Sequence, residues 1–153
     1  MNEVERLAAV EEIRQVKAKY FRGVDTGDGD LVRSILAEDC VLDYVGGCTD
    51  PATGIDYLPS TNTVLRGRSA WPAGTNLNLG MVSVHQGHTA EIEVTGESTA
   101  SAVWSMTDRL YFPPGGKYSA MTGYGHYHET YQKVDGAWKL KTTRLTRLRV
   151  EGS

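Results

Sequence analysis

One acidic side chain interrupts an otherwise apolar strand face. From Ala100 to Phe112 the even positions read Ala100, Ala102, Trp104, Met106, Asp108, Leu110 and Phe112, while the odd ones read Ser101, Val103, Ser105, Thr107, Arg109 and Tyr111. Residues two apart on a strand share a face, so Asp108 is the only charge on the side turned to a core. A carboxylate in that position loses hydration and needs a cationic or hydrogen-bonding partner. Such a partner makes either a buried ion pair or an acid-base site, and a bulge could instead turn Asp108 to solvent.

The four histidines fall into two close pairs, His85 with His88 in VHQGHTAEIEV and His126 with His128 in GYGHYHETY. Histidine exchanges a proton near neutral pH, which suits a general base. Strict alternation places Val82, Val84, His88, Ala90, Ile92 and Val94 on one face and His85 on the other. A bulge at Gly87 would reverse that phase. Periodicity alone favours His88. His126 and His128 share a face, but no H-E-x-x-H or Cys cluster accompanies them, so no metal is expected.

Tyr20 continues an apolar helical stripe, and Asp25 follows five residues later where glycines begin. The end of one helix could therefore offer a phenol and a carboxylate to the same hollow; a core tyrosine and a helix-terminal aspartate are the plainer reading. The last strand, WKLKTTRLTRLRV, carries Arg144, Arg147 and Arg149, and one of them could turn inward to meet Asp108. Trp104, Met106 and Tyr124, with His88 and His126, are the candidate substrate contacts.

Those side chains need elements to hold them. Apolar residues at Val4, Leu7, Val10, Ile13, Val16, Tyr20 and Val24 predict a helix from Glu3 to about Val24. DTGDGD breaks it and supplies an aspartate cap for a short second helix at Leu31, Val32, Ile35 and Leu36. VLDYV reads as a strand, and residues 46–80 as a long pocket rim. From Met81, turn signals at TGES, PPGG and VDGA divide four strands into a meander. Helices followed by a meander predict one α+β domain over residues 1–153, its helices covering the concave face of the sheet.

The chain has 153 residues, a formal net charge of -3 and two cysteines, Cys40 and Cys48. Its acidic balance offers no basic patch for nucleic acid or anionic lipid. No apolar run approaches membrane-spanning length, and the acidic, periodic start does not read as a signal peptide, so a cytoplasmic protein is expected. The cysteines make neither a disulfide framework nor a zinc cluster.

KYFRGVD, HQGHTAEIEV, WSMTDRLYF, the YQKVDGAW turn and the closing TRLRV together resemble the SnoaL-like branch of the nuclear transport factor 2 superfamily. Within it the likeness is to the bile acid 7-alpha-dehydratases and, more distantly, the scytalone dehydratases. The resemblance implies a cone-shaped α+β barrel and a pocket formed by Tyr20, Asp25, His85, Asp108 and Arg147. It selects His85 rather than His88 and so implies a kink near Gly87. It further implies a cofactor-independent dehydratase acting beside a carbonyl of a hydrophobic steroid- or polyketide-like substrate, in a homo-oligomer, trimer or dimer. His85 would be the base, Asp25 or Asp108 its orienting partner, and Tyr20 a donor to substrate oxygen. The same pocket could serve a cyclase or a ketosteroid-type isomerase, and the cone is also used simply to bind ligands or partners.

Overall fold

The computed structural model describes residues 1–78 and 80–153. Helix α1 spans Glu3–Thr26 and helix α2 spans Gly29–Ile35. Six strands follow: β1 Leu36–Asp43, β2 Val64–Arg66, β3 Val82–Val94, β4 Thr99–Tyr111, β5 Ala120–Val134 and β6 Ala137–Gly152. They form one sheet in the order β2-β1-β6-β5-β4-β3, antiparallel except where β1 runs parallel to β6. This is the expected α+β architecture, with the meander turns where the sequence signals them.

Local chemistry sets the helix ends. Asn2 and Glu5 form a reciprocal capping box at the start of α1, and Gly27 closes it in the left-handed conformation with φ of 65°. The Asp28 side chain accepts the Leu31 N–H to start α2. Two expectations shift. Val4 and Leu7 are 75% and 64% exposed; the buried row is Ala9, Ile13, Val16, Lys17, Tyr20 and Phe21. Leu36 belongs to β1, and the strand ends before Tyr44 and Val45.

Lys17 sits on that buried row at 1% exposure. Its ammonium lies 2.9 Å from Glu129 Oε1 and 3.5 Å from the Tyr127 ring centroid. Burial lowers the Lys17 pKa, and the charge of Glu129 opposes that shift. Glu129 also accepts from the Tyr131 hydroxyl, which receives the Trp104 indole N–H. The pair fills the core beneath α1 and pins the helix to β5.

Bulges decide which side chains face inward. Gly87 pairs with Met106 and Ala90 with Trp104, so β3 carries one extra residue there. On β6, Lys141 and Leu148 are the extra residues, since Thr142 and Leu140 pair with Thr130 and Tyr131, and Arg149 and Arg147 with Tyr124 and Gly125. The buried face of β6 therefore changes from Trp138 and Leu140 to Thr143 and Leu145, and back again at Val150.

Asp50 ties the long rim to β6. Its carboxylate accepts the Val150 N–H at 3.0 Å and both the N–H and the hydroxyl of Thr53. These bonds, the Val150 one foremost, hold its pKa below the ordinary carboxylate value. A depressed folded pKa contributes stability above the unfolded value of about 3.9 that is lost as pH falls through the folded one. Asp50→Asn should lower the urea midpoint at pH 7, and its deficit from the wild type should shrink below about pH 4.

Candidate active site

The bulge in β3 turns Ser83, His85 and Gly87 inward together with Ala90, Ile92 and Val94. Val82 and Val84, expected inside, lie on the outer face. A side chain at Gly87 would place its Cβ 2.6 Å from Phe21, whose ring stacks against the His85 imidazole at 6.0 Å between centroids. Glycine at this position thus lets α1 close onto the strand.

Asp25, in the last turn of α1, holds His85 by both backbone and ring. Its Oδ2 accepts the His85 N–H at 2.9 Å, and its Oδ1 lies 2.6 Å from Nδ1. Ser83 donates its hydroxyl to the same Oδ1 at 3.0 Å. A carboxylate so placed accepts from Nδ1–H, which leaves the Nε2 lone pair facing the hollow. Asp108 Oδ2 lies 3.8 Å from Nε2, beyond hydrogen-bond reach. Asp25 rather than Asp108 therefore orients the ring.

Asp108 is itself occupied. Arg147 meets it through two nearly parallel bonds, Nη1 to Oδ1 at 2.7 Å and Nη2 to Oδ2 at 2.9 Å. The guanidinium also donates Nε–H to the Gly47 carbonyl at 2.6 Å and approaches Met106 Sδ at 3.3 Å. Burial alone would lower the Arg147 pKa; the bonds and charge of Asp108 overcome that and leave it raised. A Cβ at Gly123 would overlap both partners, so β5 makes room for the pair by having no side chain there.

Tyr20 completes the set. Its hydroxyl lies 2.7 Å from that of Tyr44, just past β1. Burial, the largest cause, raises the Tyr20 phenol well above its ordinary value despite the Tyr44 bond, and Tyr44 and Tyr127 are raised by burial as well. All three are neutral phenols at physiological pH, able to donate. With His85, Asp108 and Arg147 they border a cavity of about 580 Å3 whose remaining wall is mostly apolar, including Leu58, Leu65 and Trp71.

Tyr20, Asp25, His85, Asp108 and Arg147 thus converge. The expected substrate contacts do not. His88 is exposed on the outer face, where its Nε2 lies 3.0 Å from Thr107 Oγ1. Tyr124 and His126 are outward as well, because Gly123, Gly125 and Tyr127 are the inward positions of β5. Trp104 and Met106 are core residues outside the cavity wall. Sequence reasoning missed Tyr44, Tyr127 and Ser83. For Tyr127 a signal existed, since Gly123 and Gly125 mark the face of β5 that has least room. Among the described residues no cluster of three His, Cys, Asp or Glu side chains could hold a metal, and no helix is long and apolar enough to cross a membrane.

Comparison with known proteins places this geometry in context. The SnoaL-like domain pattern matches residues 5–144. The Gibberella zeae protein named Probable cyclase FGR4 is 26% identical over 147 residues, covering 89% of each chain. Among solved structures, a Novosphingobium aromaticivorans protein carrying the scytalone dehydratase name superimposes with a TM-score of 0.78 at 18% identity, over 99% of this chain and 92% of its own. Hexachlorocyclohexane dehydrochlorinase LinA-type3 from Novosphingobium barchaimii gives 0.75 at 16% identity, over 99% and 94%. At such identities the structural matches speak for the cone-shaped fold.

Proposed function

Because the chain belongs to the SnoaL-like domain family, within the nuclear transport factor 2-like superfamily, we propose that it is a cofactor-independent lyase that removes water beside a carbonyl of a hydrophobic ring compound. The observation that carries this reading is His85 held on Asp25, on the wall of a largely apolar cavity. Dehydration of a β-hydroxy ketone begins by removing the proton between the two groups. Nε2 takes that proton, and Asp25 stabilises the imidazolium formed. Tyr20 or Tyr44 donates to the oxygen on which enolate charge develops, beside a largely apolar wall. The imidazolium then returns its proton to the departing hydroxyl, so water leaves and the base is restored. Arg147 holds the Asp108 carboxylate in position at the cavity wall through its two bonds.

Incubation in deuterated water with a panel of steroidal and polycyclic β-hydroxy ketones tests this. The expected result is a conjugated enone product, with deuterium entering the carbon next to the carbonyl of unreacted material. A panel that gives neither would defeat the proposal. Ring closure of the aldol type is a second reading, supported by the relative named Probable cyclase FGR4. It shares the first proton transfer, and product mass separates the two, since simple aldol closure retains the water that dehydration loses.

A further inference from the structure

A second hollow, of about 850 Å3, lies outside the first, between the rim around Tyr57 and the β4–β5 turn. Three side chains, Leu58, Met81 and Pro113, border both spaces. Beyond them the groove runs between Phe112 and an edge-to-face pair, Tyr57 and Tyr118, whose ring centroids are 4.7 Å apart. Tyr57, Leu58, Met81 and Phe112 rest on a small core of their own, formed by Cys48, Leu110, Met121 and Val150. The partition is therefore made of apolar side chains on a packed base, and Asp56 and Lys117 are the charged residues that line the groove.

We infer that this groove is a subsite for the distal apolar arm of the same substrate whose carbonyl end lies at His85. The inference rests on the proposed function for the location of the carbonyl and on the shared partition for the path of the arm. The substrate class is thereby narrowed to an amphipathic carbonyl compound, with a compact ring system inside and an alkyl or aryl extension outside. A compact ring compound would leave the groove in contact with water, and burying an apolar arm there contributes binding through the area removed from water.

Two dyes with the same naphthyl ketone head test this without turnover: 6-propionyl-2-(dimethylamino)naphthalene and its octanoyl homologue. Both shift their emission on entering an apolar site. The octanoyl dye should bind at least about tenfold more tightly, since each fully buried methylene contributes roughly fourfold in affinity. Tyr118→Ser removes one wall of the groove. Gly116→Trp obstructs it from a position where a Cβ meets only the Tyr118 carbonyl, at 3.7 Å. Each should weaken the octanoyl dye about fivefold or more and change the propionyl dye less than about twofold, as expected when only arm burial is lost. Thermal melts of both variants guard against a folding defect.

Equal affinity of the two dyes, or an octanoyl preference that survives both substitutions, would overturn the subsite. Binding of neither dye by the wild type would overturn it too. Because the readout is affinity, failure of the β-hydroxy ketone panel with a positive dye result would strike the proposed reaction and leave the subsite standing.

Discussion

Replacing His85 with glutamine lowers turnover by about 10²- to 10⁴-fold, the range that general acid-base catalysis contributes, and leaves the KM within about threefold. Glutamine can still donate a hydrogen bond to Asp25, so the end of α1 stays joined to β3. It has no lone pair of imidazole basicity to take the carbon-bound proton. The loss should fall on kcat, because the step removed is one made in the transition state. Deuterium exchange next to the carbonyl should disappear in parallel, which separates a lost base from a misplaced leaving-group donor. The measurement is steady-state kinetics on whichever panel compound the wild type converts, with urea unfolding as the control, where a cost under about 1 kcal/mol is expected. A folded His85→Gln protein that exchanges deuterium at the wild-type rate would rule out His85 as the base.

The Asp108–Arg147 pair gives the second large effect, on stability. Arg147→Met leaves a carboxylate with 3% residue exposure and no cation bonded to it, at an expected cost of roughly 3–5 kcal/mol. The double variant Asp108→Leu with Arg147→Met should recover most of that loss, since a buried ion pair is often replaced by apolar groups at little cost. Urea midpoints of the wild type, both single variants and the double variant form the cycle. Recovery of stability without recovery of turnover would assign the pair to the reaction rather than to folding. Equal destabilisation in Arg147→Met and the double variant, with Asp108→Leu little affected, would show that the Gly47 carbonyl and Met106 contacts of Arg147, not the charge pair, hold this corner together.

Much of the arrangement was legible in the chain because it follows from local rules. Asp108 stood out on β4 since that strand has no register shift against β5, and alternation there runs unbroken from Ala100 to Leu110. The helix ends were readable through Asp28 and Gly27, whose side-chain and backbone chemistry is local. His85 was not legible from periodicity, because one extra residue between Gly87 and Ala90 moves the inward phase and nothing in composition fixes where a bulge falls. Arg147 was one of three open choices for the same reason, since two further shifts lie on β6. The resemblance resolved both by motif order, which carries register that alternation does not. Tyr124 and His126 lie on the opposite face of β5 to the one expected, because Gly123 and Gly125 take the inward positions, the first leaving the space that Arg147 and Asp108 fill and the second the space of the Thr146 backbone. Nothing in the sequence marks Lys17 and Glu129 as a buried pair, since only the packing of α1 over β5 brings them together.

The extra residue in β3 has a consequence for how this chain tolerates change in length. On either side of it, Ser83 and His85 in one half and Ile92 and Val94 in the other keep opposite parity along the sequence yet point the same way in space. A single-codon deletion between Gly87 and Thr89 would bring the two halves into one parity. Either the imidazole would then swing to the outside of the cone or the isoleucine would leave the packed interior. Substitutions can be absorbed in that stretch one side chain at a time, whereas a frame-preserving loss of a single residue exchanges inside for outside along half a strand.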